Sequence, residues 1–556
     1  MKTATSQSSL FDLLVARLTT PPLLAGYSAL VLLLLLSAMT RGMRQRITSG
    51  RWAGNKERHN ARQAGLQQIY AADPGDVALH IGDSAGPQTV WIPHANCGIG
   101  VFGATGKGKS FSVFEPVLRS AIDQGFPAIV FDASGDHTRN QVAYALSQDY
   151  KVYFFAPGLP YSGSLNLLDF LENPQDSEMA EELAHVLRTN TQYQQTKGDP
   201  FFAPATDKLL KALILLAKDS PYPDIPMAFA LLREPDLAQR LKAAQGLNLW
   251  AEIAATTLTS AADADRTVGG IVAGVSNLFD SLISARNLPC IIGQSTLPLD
   301  LEGKQMVILQ YDGQRQAATA PLIAAAIHLL VKRNIGPHVR RSQPLVLSMD
   351  EFATSLYLPE VTKWVNLFRK YGLVTIAGIQ STAQLRALYG RETSDALMAG
   401  FVTRFIFNPN DPDTAFDLSK LLGETEIVTR TNSTTWSRGG RTRTVSEHLQ
   451  RRSLLTPDEI LRLPRGAAVL LNPEYASGGE ANLPLRLRHI YVSKAEQAIQ
   501  QDARELWDNV LCQRYTQRVQ NLRQTLQNLD PPTALHQRQA VANMILPPIP
   551  QKAIKP

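Results

Sequence analysis

The stretch GATGKGKS fits the pattern G-x-x-x-x-G-K-[ST], which holds a nucleotide triphosphate. In this pattern the glycines let backbone N–H groups converge on phosphates, the lysine neutralises the β and γ oxygens, and the hydroxyl reaches Mg²⁺. An apolar run ending at Phe102 precedes the loop, and apolar residues at helical spacing follow it. The residues predicted to bind ATP and Mg²⁺ are Gly103, Ala104, Thr105, Gly106, Lys107, Gly108, Lys109 and Ser110.

Hydrolysis also needs an acid that orients the metal and a group that activates water, both at the end of a neighbouring strand. The run LVLSMDEF offers Asp350 as the Mg²⁺ ligand and Glu351 as the base. The next apolar run ends at Gln380, at the sheet edge where ligands bind in open α/β sheets. Gln380 either senses the γ-phosphate, orients water, or merely caps the following helix.

Two further pairs of charged residues lie near these runs. Asp132 and Asp136 follow the run PAIVF and either approach the site or form a turn. Arg369 and Lys370 lie at an exposed helix end, where basic side chains commonly complement the helix dipole. The residues alone leave both interpretations of Asp132 and Asp136 open.

Apolar runs typical of strands alternate with helical stretches around these residues, which predicts a parallel sheet with helices on its faces. Leu79 to Asp83 and Thr89 to Pro93 resemble a hairpin that leads into the loop strand. From about Asp176 to Ser284 the chain is rich in Ala and Leu, which predicts an all-helical insertion. The other strand-like runs are Pro127 to Asp132, Lys151 to Phe155, Gln305 to Tyr311, Pro344 to Phe352, Leu373 to Gln380 and Phe401 to Phe407.

The C-terminal part is predicted to complete the sheet and then to leave it. Ala467 to Leu471 and Arg488 to Val492 resemble two last strands. Ser493 and Glu496 resemble a capping box that opens a last helix, and the proline clusters beyond Asp530 predict a loose tail.

An uncharged segment, PPLLAGYSALVLLLLLSAMT, occupies residues 21–40 and would rise about 30 Å as a helix, the thickness of a bilayer core. Arginines follow it, with Glu57 as the single acid up to Arg62, so the positive-inside rule places the large C-terminal part in the cytoplasm. A cleaved signal peptide would carry its charge before the apolar run, so a single-pass anchor is favoured. Asp12 and Arg17 favour an interfacial helix before it.

Bulk composition limits the class of protein. At 556 residues the chain exceeds what one hydrophobic core usually supports. Cys97, Cys290 and Cys512 lie far apart and lack the C-x-x-C spacing of zinc or redox sites, which indicates thiols in a reducing compartment. The net charge of +6 permits a polyanionic partner without proving one.

Four segments together resemble a known family. GATGKGKS, VFDASGD, the run from LSMDEF to IQSTAQL, and QRRSLLTPDEILRLPRGAAVLLNP are similar, in order and spacing, to conjugative coupling proteins of type IV secretion systems, the TraG/TraD-like membrane ATPases. The resemblance extends from about Leu79 to Val492. It implies a RecA-like P-loop domain with an inserted all-alpha domain, assembled as a homohexamer at the inner membrane. The family commonly has two membrane helices, whereas this sequence supports one.

With the resemblance included, the predicted fold class is α/β: a RecA-like nucleotide-binding domain with an inserted all-alpha domain, preceded by one transmembrane helix. The predicted boundaries are an N-terminal segment at residues 1–20, a membrane helix at 21–40, a basic linker at 41–74, the nucleotide-binding domain at 75–175 and 300–493, the all-alpha domain at 176–299, and a C-terminal helix and tail at 494–556.

The resemblance further implies ATP hydrolysis that moves DNA, with a bound relaxase, toward a secretion channel in the membrane. It assigns Arg369 as an arginine finger that reaches the nucleotide of a neighbouring subunit. The remaining roles that it implies are Lys109 and Ser110 as the Walker A pair, Asp350 and Glu351 as the Walker B pair, and Gln380 as the sensor amide.

A motor that moves DNA regardless of sequence should grip phosphates with Lys and Arg. In the stretch TRTNSTTWSRGGRTRTVSEHLQRR, arginines flank one aromatic ring, which suits single-stranded DNA. The candidate DNA-binding residues are Arg438, Arg441, Arg443 and Trp436. A solvated, disordered loop is the alternative, because the stretch is rich in Ser, Thr and Gly.

Other functions compete with DNA transfer. The same motor could move protein effectors alone, or chromosomal DNA as FtsK-type pumps do, and DNA-stimulated ATP hydrolysis would separate DNA transfer from effector transport. A nucleotide-gated docking scaffold would not need a base, so the set Lys109, Asp350 and Glu351 argues against it. A small-molecule kinase is least favoured, because it would leave the helical insertion unexplained.

Overall fold

The computed structural model describes residues 50–194, 202–311, 313–354, 356–437, 440–488, 494–525 and 530–549. The predicted membrane segment, residues 21–40, lies outside them. Within these ranges, no helix combines the length and the apolar character that a membrane span requires. The described part of the chain forms two units: Gly423–Leu454, with Gly50, form the smaller one, and the rest of the described chain forms the larger one.

The larger unit is built on a nine-stranded sheet, in the order β13-β12-β9-β3-β8-β7-β4-β6-β5 across the part of the chain that the structure describes. Neighbouring strands pair in parallel along the order β9-β3-β8-β7-β4-β6-β5. At the other end of the sheet, β12 is antiparallel to both β9 and β13. The strands are β1 (Leu79–Ile81), β2 (Val90–Ile92), β3 (Ile99–Phe102), β4 (Ala128–Phe131), β5 (Lys151–Phe155), β6 (Gln305–Leu309), β7 (Leu345–Met349), β8 (Leu373–Ile379), β9 (Thr403–Ile406), β10 (Glu424–Ser437), β11 (Gly440–Ser453), β12 (Ala468–Leu471) and β13 (Leu485–Leu487).

The central strands are apolar because both faces of the sheet are covered. Every residue of β7 and β8 is buried. Successive side chains of a strand point to opposite faces, and alternate residues accordingly enter two buried clusters: Leu345 and Leu347 join one, and Val346 joins the other. The predicted parallel sheet is confirmed, with one reversed strand, β12, between β9 and the edge strand β13.

Helices connect the strands and form the insertion. They are α1 (Asn55–Ala71), α2 (Glu115–Asp123), α3 (Asp136–Ser147), α4 (Ser177–Gln194), α5 (Ala203–Lys218), α6 (Ile225–Leu232), α7 (Leu237–Ala243), α8 (Leu249–Ser260), α9 (Asp265–Leu282), α10 (Leu288–Ile291), α11 (Gln316–Asn334), α12 (Val361–Asn366), α13 (Thr382–Tyr389), α14 (Arg391–Gly400), α15 (Pro412–Leu422), α16 (Pro457–Leu461), α17 (Lys494–Leu506), α18 (Cys512–Thr525) and α19 (Pro531–Ile545).

Helices α4 to α10 make up the predicted helical insertion between β5 and β6. Helix α5 buries Leu209, Leu210 and the apolar run from Ala212 to Ala217, which places it at the centre of this group. Asp224 begins α6 by accepting a hydrogen bond from the backbone of Met227 at 3.0 Å, as an N-cap does. Helix α11, after β6, is apolar nearly all round and is buried between the insertion and the sheet.

The C-terminal part differs from the prediction of a loose tail. Helix α19 occupies Pro531–Ile545, where the proline pair stands in its first turn, a position that tolerates proline. Its Arg538 Nε lies 2.9 Å from Asp224 Oδ1, and both side chains are buried. The last strand is β13, upstream of the predicted Arg488 to Val492, and residues 489–493 lie outside the described ranges.

The short hairpin near the start is as predicted: β1 pairs antiparallel with β2, and Leu79 faces Ile92. The smaller unit was not predicted as structure. It is a hairpin in which the 14-residue strands β10 and β11 pair from Glu424↔Ser453 to Ser437↔Gly440.

Candidate nucleotide-binding site

The loop of the GATGKGKS motif begins where β3 ends at the carboxyl edge of the sheet. The backbone N–H of Gly103 donates to Ile379 at 3.0 Å, and that of Ala104 donates to Asn408 at 2.9 Å. These bonds tie the start of the loop to the ends of β8 and β9. Gly106 and Gly108 have φ angles of 77° and 100°, which favour glycine, so the loop can turn back on itself and present backbone N–H groups.

Lys109 is folded into the loop. Its side chain is buried, and Nζ donates to the carbonyl of Gly103 at 2.7 Å. Burial lowers the pKa of Lys109, while the charges of Asp350 and Glu351 oppose this change. The ammonium group therefore lies within the loop that a phosphate would enter. Phosphate oxygens could replace the Gly103 carbonyl as its hydrogen-bond partner.

Ser110 and Asp350 meet at the mouth of the loop. Ser110 begins a π-helical turn, Ser110–Phe114, that leads into α2, and its hydroxyl donates to Asp350 Oδ2. His137 Nε2 lies 3.3 Å from the same oxygen. Burial alone would raise the pKa of Asp350, but the hydrogen bonds from His137 and Ser110 hold it below its usual value. Asp350 therefore stays ionised.

The donor set at this point fits a hard divalent cation. A hydroxyl and a carboxylate in contact are the oxygen ligands that Mg²⁺ prefers, and Mg²⁺ usually takes few protein ligands beside phosphate and water. Among the described residues, no three His, Cys, Asp or Glu side chains are arranged to hold a metal by themselves. Ser110 and Asp350 could thus hold the cation only together with other oxygen ligands, such as phosphate.

Glu351 follows Asp350 and is half-buried at the same edge. Burial raises the pKa of Glu351, and the neighbouring charge of Asp350 raises it further. A carboxylate with a raised pKa is a stronger base than an exposed glutamate. The backbone of Asp350 can lie this close to β8 because Gly378 of β8 lacks a side chain. A Cβ at Gly378 would overlap the carbonyl oxygen of Asp350.

Gln380 lies at the end of β8, next to the strand that carries Asp350. The helix-capping alternative is wrong, because Ser381 caps α13 by accepting a hydrogen bond from the backbone of Gln384. The partly exposed amide is therefore free of that role and stands at the edge to which the nucleotide loop also belongs.

Arg369 does not join these residues within its own chain. It lies in a 3₁₀ turn, Phe368–Tyr371, that precedes β8, at the opposite edge of the sheet from the loop. Its side chain is exposed, and Nη1 lies 3.7 Å from the sulfur of Cys97, just before β3. Arg369 therefore lies away from the nucleotide loop of its own chain.

The turn interpretation holds for Asp132. Its buried carboxylate accepts hydrogen bonds from the backbone N–H groups of Gly135 at 2.9 Å and Thr138 at 2.7 Å, which fixes the start of α3. His137, the second residue of α3, also lies at the site, although no motif in the sequence indicated it. Although burial alone would lower it, the hydrogen bond to Asp350 and the charge of Asp132 raise the pKa of His137 to about 9.

The candidate DNA-binding residues lie at the tip of the β10–β11 hairpin. Trp436 faces Arg441 across the strands, and the guanidinium lies 5.4 Å from the centre of the indole ring. The Trp436 side chain is 75% exposed, and Arg443 is exposed as well. Arg438 lies outside the described residues. A ring and cations presented together to solvent are the components of a single-strand platform.

Comparison with known proteins identifies a family. A family model described as the DNA-binding domain of type IV secretion-system coupling proteins matches residues 92–483. Over 140 residues the chain is 35% identical to "Conjugal transfer protein TraG" of Rhizobium radiobacter and 33% identical to that of Agrobacterium fabrum. These matches cover 25% of this chain and only 21% and 20% of the two relatives.

Solved structures share the fold. The plasmid coupling protein TrwB in complex with the non-hydrolysable ATP analogue ADPNP superposes with a TM-score of 0.53 at 19% identity, over 77% of this chain and 93% of that chain. TrwB in complex with ADP and Mg²⁺ gives a TM-score of 0.51 at 20% identity, over 72% and 86%. At these identities the likeness concerns the architecture: a mixed sheet with a helical domain.

Proposed function

The chain belongs to the type IV secretion-system coupling proteins, and on this premise we propose that it is an ATP-driven translocase that delivers DNA, with a bound relaxase, to a conjugation channel. The contact between Ser110 and Asp350 at the mouth of the phosphate loop carries this proposal, because binding and hydrolysis need both groups at one place. The relatives named for conjugal transfer, and the TrwB complexes with nucleotides, support the choice of substrate and cofactor.

We assign the loop from Gly103 to Ser110 to the triphosphate of ATP. Its backbone N–H groups would receive phosphate oxygens, and Lys109 would exchange the Gly103 carbonyl for the β and γ oxygens. The buried ammonium favours an anion there, because its own desolvation is then offset.

We assign Ser110 and Asp350 to Mg²⁺, which would neutralise charge on the β- and γ-phosphates. The hydroxyl and the ionised carboxylate already touch, so neither would need a large movement to share one cation. Glu351 would take the proton of the attacking water, and Gln380 would orient that water or sense the γ-phosphate.

Arg369 is proposed to act on the neighbour's nucleotide in a homohexamer. Its exposure, and its place at the edge opposite the loop, support a role in trans, because a ring brings one subunit's opposite edge to the next subunit's site. Such an arginine stabilises the charge of the transferring phosphoryl group.

The tip of the β10–β11 hairpin is proposed to hold single-stranded DNA. Trp436 would stack on a base, while Arg441, Arg443 and Arg438 would neutralise phosphates. The paired strands support a defined platform over the solvated-loop alternative.

We further propose a single-pass anchor at residues 21–40 in the inner membrane, with the bulk of the chain in the cytoplasm and the channel components as partners. The boundaries of the nucleotide-binding domain, residues 75–175 and 300–493, and of the all-alpha domain, residues 176–299, stay predictions. Helices α4 to α10 span Ser177–Ile291, which supports the second of them.

DNA transfer by a host whose only coupling protein is this chain tests the proposal. We expect Glu351→Gln to reduce transfer at least about 100-fold, since a general base contributes about 10²–10⁴ to a rate. Glu392→Gln, at an exposed glutamate of α14, is the control and should transfer normally. Normal transfer by Glu351→Gln would favour the docking scaffold, whose assembly matters and whose turnover does not.

A further inference from the structure

His137 is a histidine that the proposed chemistry does not use, although it lies beside the site. It is the second residue of α3, and only 2% of its surface is exposed. Its ring packs against that of Phe114, in the turn that follows the phosphate loop, with ring centres 6.1 Å apart. An imidazole in this position belongs to the wall of the nucleotide site.

The ring faces the carboxylate of Asp350. Nε2 lies 3.3 Å from Oδ2, the oxygen that also receives the Ser110 hydroxyl. Two donors from different elements, α3 and the start of the π-helical turn, thus converge on one oxygen. A carboxylate gripped in this way cannot rotate about its last side-chain bond without breaking both hydrogen bonds.

The second ring nitrogen, Nδ1, indicates that the ring is not positioned to form as many hydrogen bonds as it can. Among the described residues, no group hydrogen-bonds Nδ1 of His137, although the atom is buried. A buried nitrogen without a hydrogen-bond partner is unfavourable, because it has lost its bonds to water. Most buried side-chain nitrogens are hydrogen-bonded, whereas among the described residues the His137 ring bonds only through Nε2, to Asp350.

The helix that carries His137 is itself held from two sides. Asn140 donates to Glu115 of α2, and Gln500 of α17 donates to the same buried carboxylate. Arg504 of α17 donates to Asn140 at 2.6 Å. Helix α3 is therefore held by a polar cluster that joins it to α2, the helix after the phosphate loop, and to α17.

We infer that His137 is a positioning residue, which fixes the Asp350 carboxylate in the orientation that a Mg²⁺–nucleotide complex requires. This inference rests on the proposed nucleotide site. It concerns how much Mg²⁺ raises the affinity for nucleotide, and not only whether ATP is hydrolysed. Groups that orient a metal ligand typically contribute 10- to 100-fold in metal affinity.

The test measures binding of a fluorescent ADP analogue to the purified full chain, once with Mg²⁺ and once with EDTA. We expect His137→Leu to lower the Mg²⁺-dependent gain in affinity about tenfold and to leave the affinity in EDTA within about twofold. His137→Gln, which keeps a side-chain N–H donor, should recover part of the gain. Gln141→Leu is the matched control, because Gln141 is equally buried one turn further along α3 and should keep the full gain.

A second readout is the Mg²⁺ concentration that gives half-maximal ATP hydrolysis, which should rise about tenfold in His137→Leu. The inference is overturned if His137→Leu keeps the parent's Mg²⁺-dependent gain, or if affinity falls equally in EDTA and in Mg²⁺, or if Gln141→Leu loses the same gain. If the parent binds Mg²⁺–nucleotide but does not hydrolyse ATP, the proposed function fails while the binding measurement still decides the role of His137.

Discussion

At the scale of single residues, Gly378 shows how closely two strands meet below the candidate site. A Cβ there would overlap the carbonyl of Asp350, and the backbone N–H of Phe352 donates to the Gly378 carbonyl at 3.1 Å. A backbone group cannot move aside as the end of a side chain can. The position of Asp350, the proposed metal ligand, therefore depends on a glycine in the neighbouring strand.

We expect Gly378→Ala to lower the free energy of unfolding by at least about 2 kcal/mol, because overpacking against backbone forces β7 and β8 apart. Gly269→Ala in α9 is the control: a Cβ meets nothing within 4 Å there, and alanine favours a helix by up to about 1 kcal/mol. Chemical denaturation of both variants measures the difference, and equal stability would contradict the close approach.

The sequence could predict those site residues that belong to a motif with fixed spacing between its members. The loop from Gly103 to Ser110 and the pair Asp350–Glu351 follow patterns in which position fixes role, and the structure brings Ser110 and Asp350 into contact. His137 carries no such pattern, since a single histidine after a turn does not reveal its burial or its partner. The role of Gln380 stays a prediction, although its capping alternative is excluded.

At the scale of elements, the β10–β11 hairpin could not be predicted from the amino-acid composition of its segment. The residues that face one another are largely Thr, Ser and Arg, as in Thr431↔Ser446 and Thr434↔Arg443. Such residues are as common in loops as in strands, so only the pairing itself reveals the hairpin. By contrast, the buried runs of β7 and β8 are continuous apolar stretches, which strands covered on both faces require.

We expect Trp436→Ala to weaken binding of single-stranded DNA about tenfold, because one base–ring stack contributes about 1–3 kcal/mol. Arg443→Ala should lower the slope of log affinity against log salt by about 1. Thr431→Ala, on the other face of β10, serves as the control. Fluorescence anisotropy with an unstructured oligonucleotide measures all three; unchanged affinity and slope in the first two would show that the tip does not hold DNA.

At the scale of the whole molecule, the C-terminal helices contact both the sheet side and the helical insertion. Trp507, after α17, packs on Phe154 of β5, with ring centres 5.3 Å apart. Helix α19 places Arg538 against Asp224, the cap of α6. The sequence suggested a loose tail because its prolines look like breakers, whereas at the first turn of α19 they are compatible with a helix.

We expect Arg538→Met to lower the free energy of unfolding by about 3 kcal/mol, because it leaves Asp224 buried and charged without its partner. Adding Asp224→Asn should restore part of this loss, since the amide oxygen can still cap α6 and carries no charge. Thermal unfolding of the two variants checks the pair. If Arg538→Met alone were as stable as the parent, α19 would not be held by this ion pair.

ATP turnover at this site is proposed to drive DNA transfer, and ATP hydrolysis by the purified full chain, with and without single-stranded DNA, tests this directly. We expect turnover that DNA raises and that Lys109→Ala lowers at least about 100-fold, since the Lys109 ammonium would neutralise negative charge on the transferring phosphate. DNA binding without turnover, under conditions in which oligomers form, would contradict it and would favour a docking scaffold.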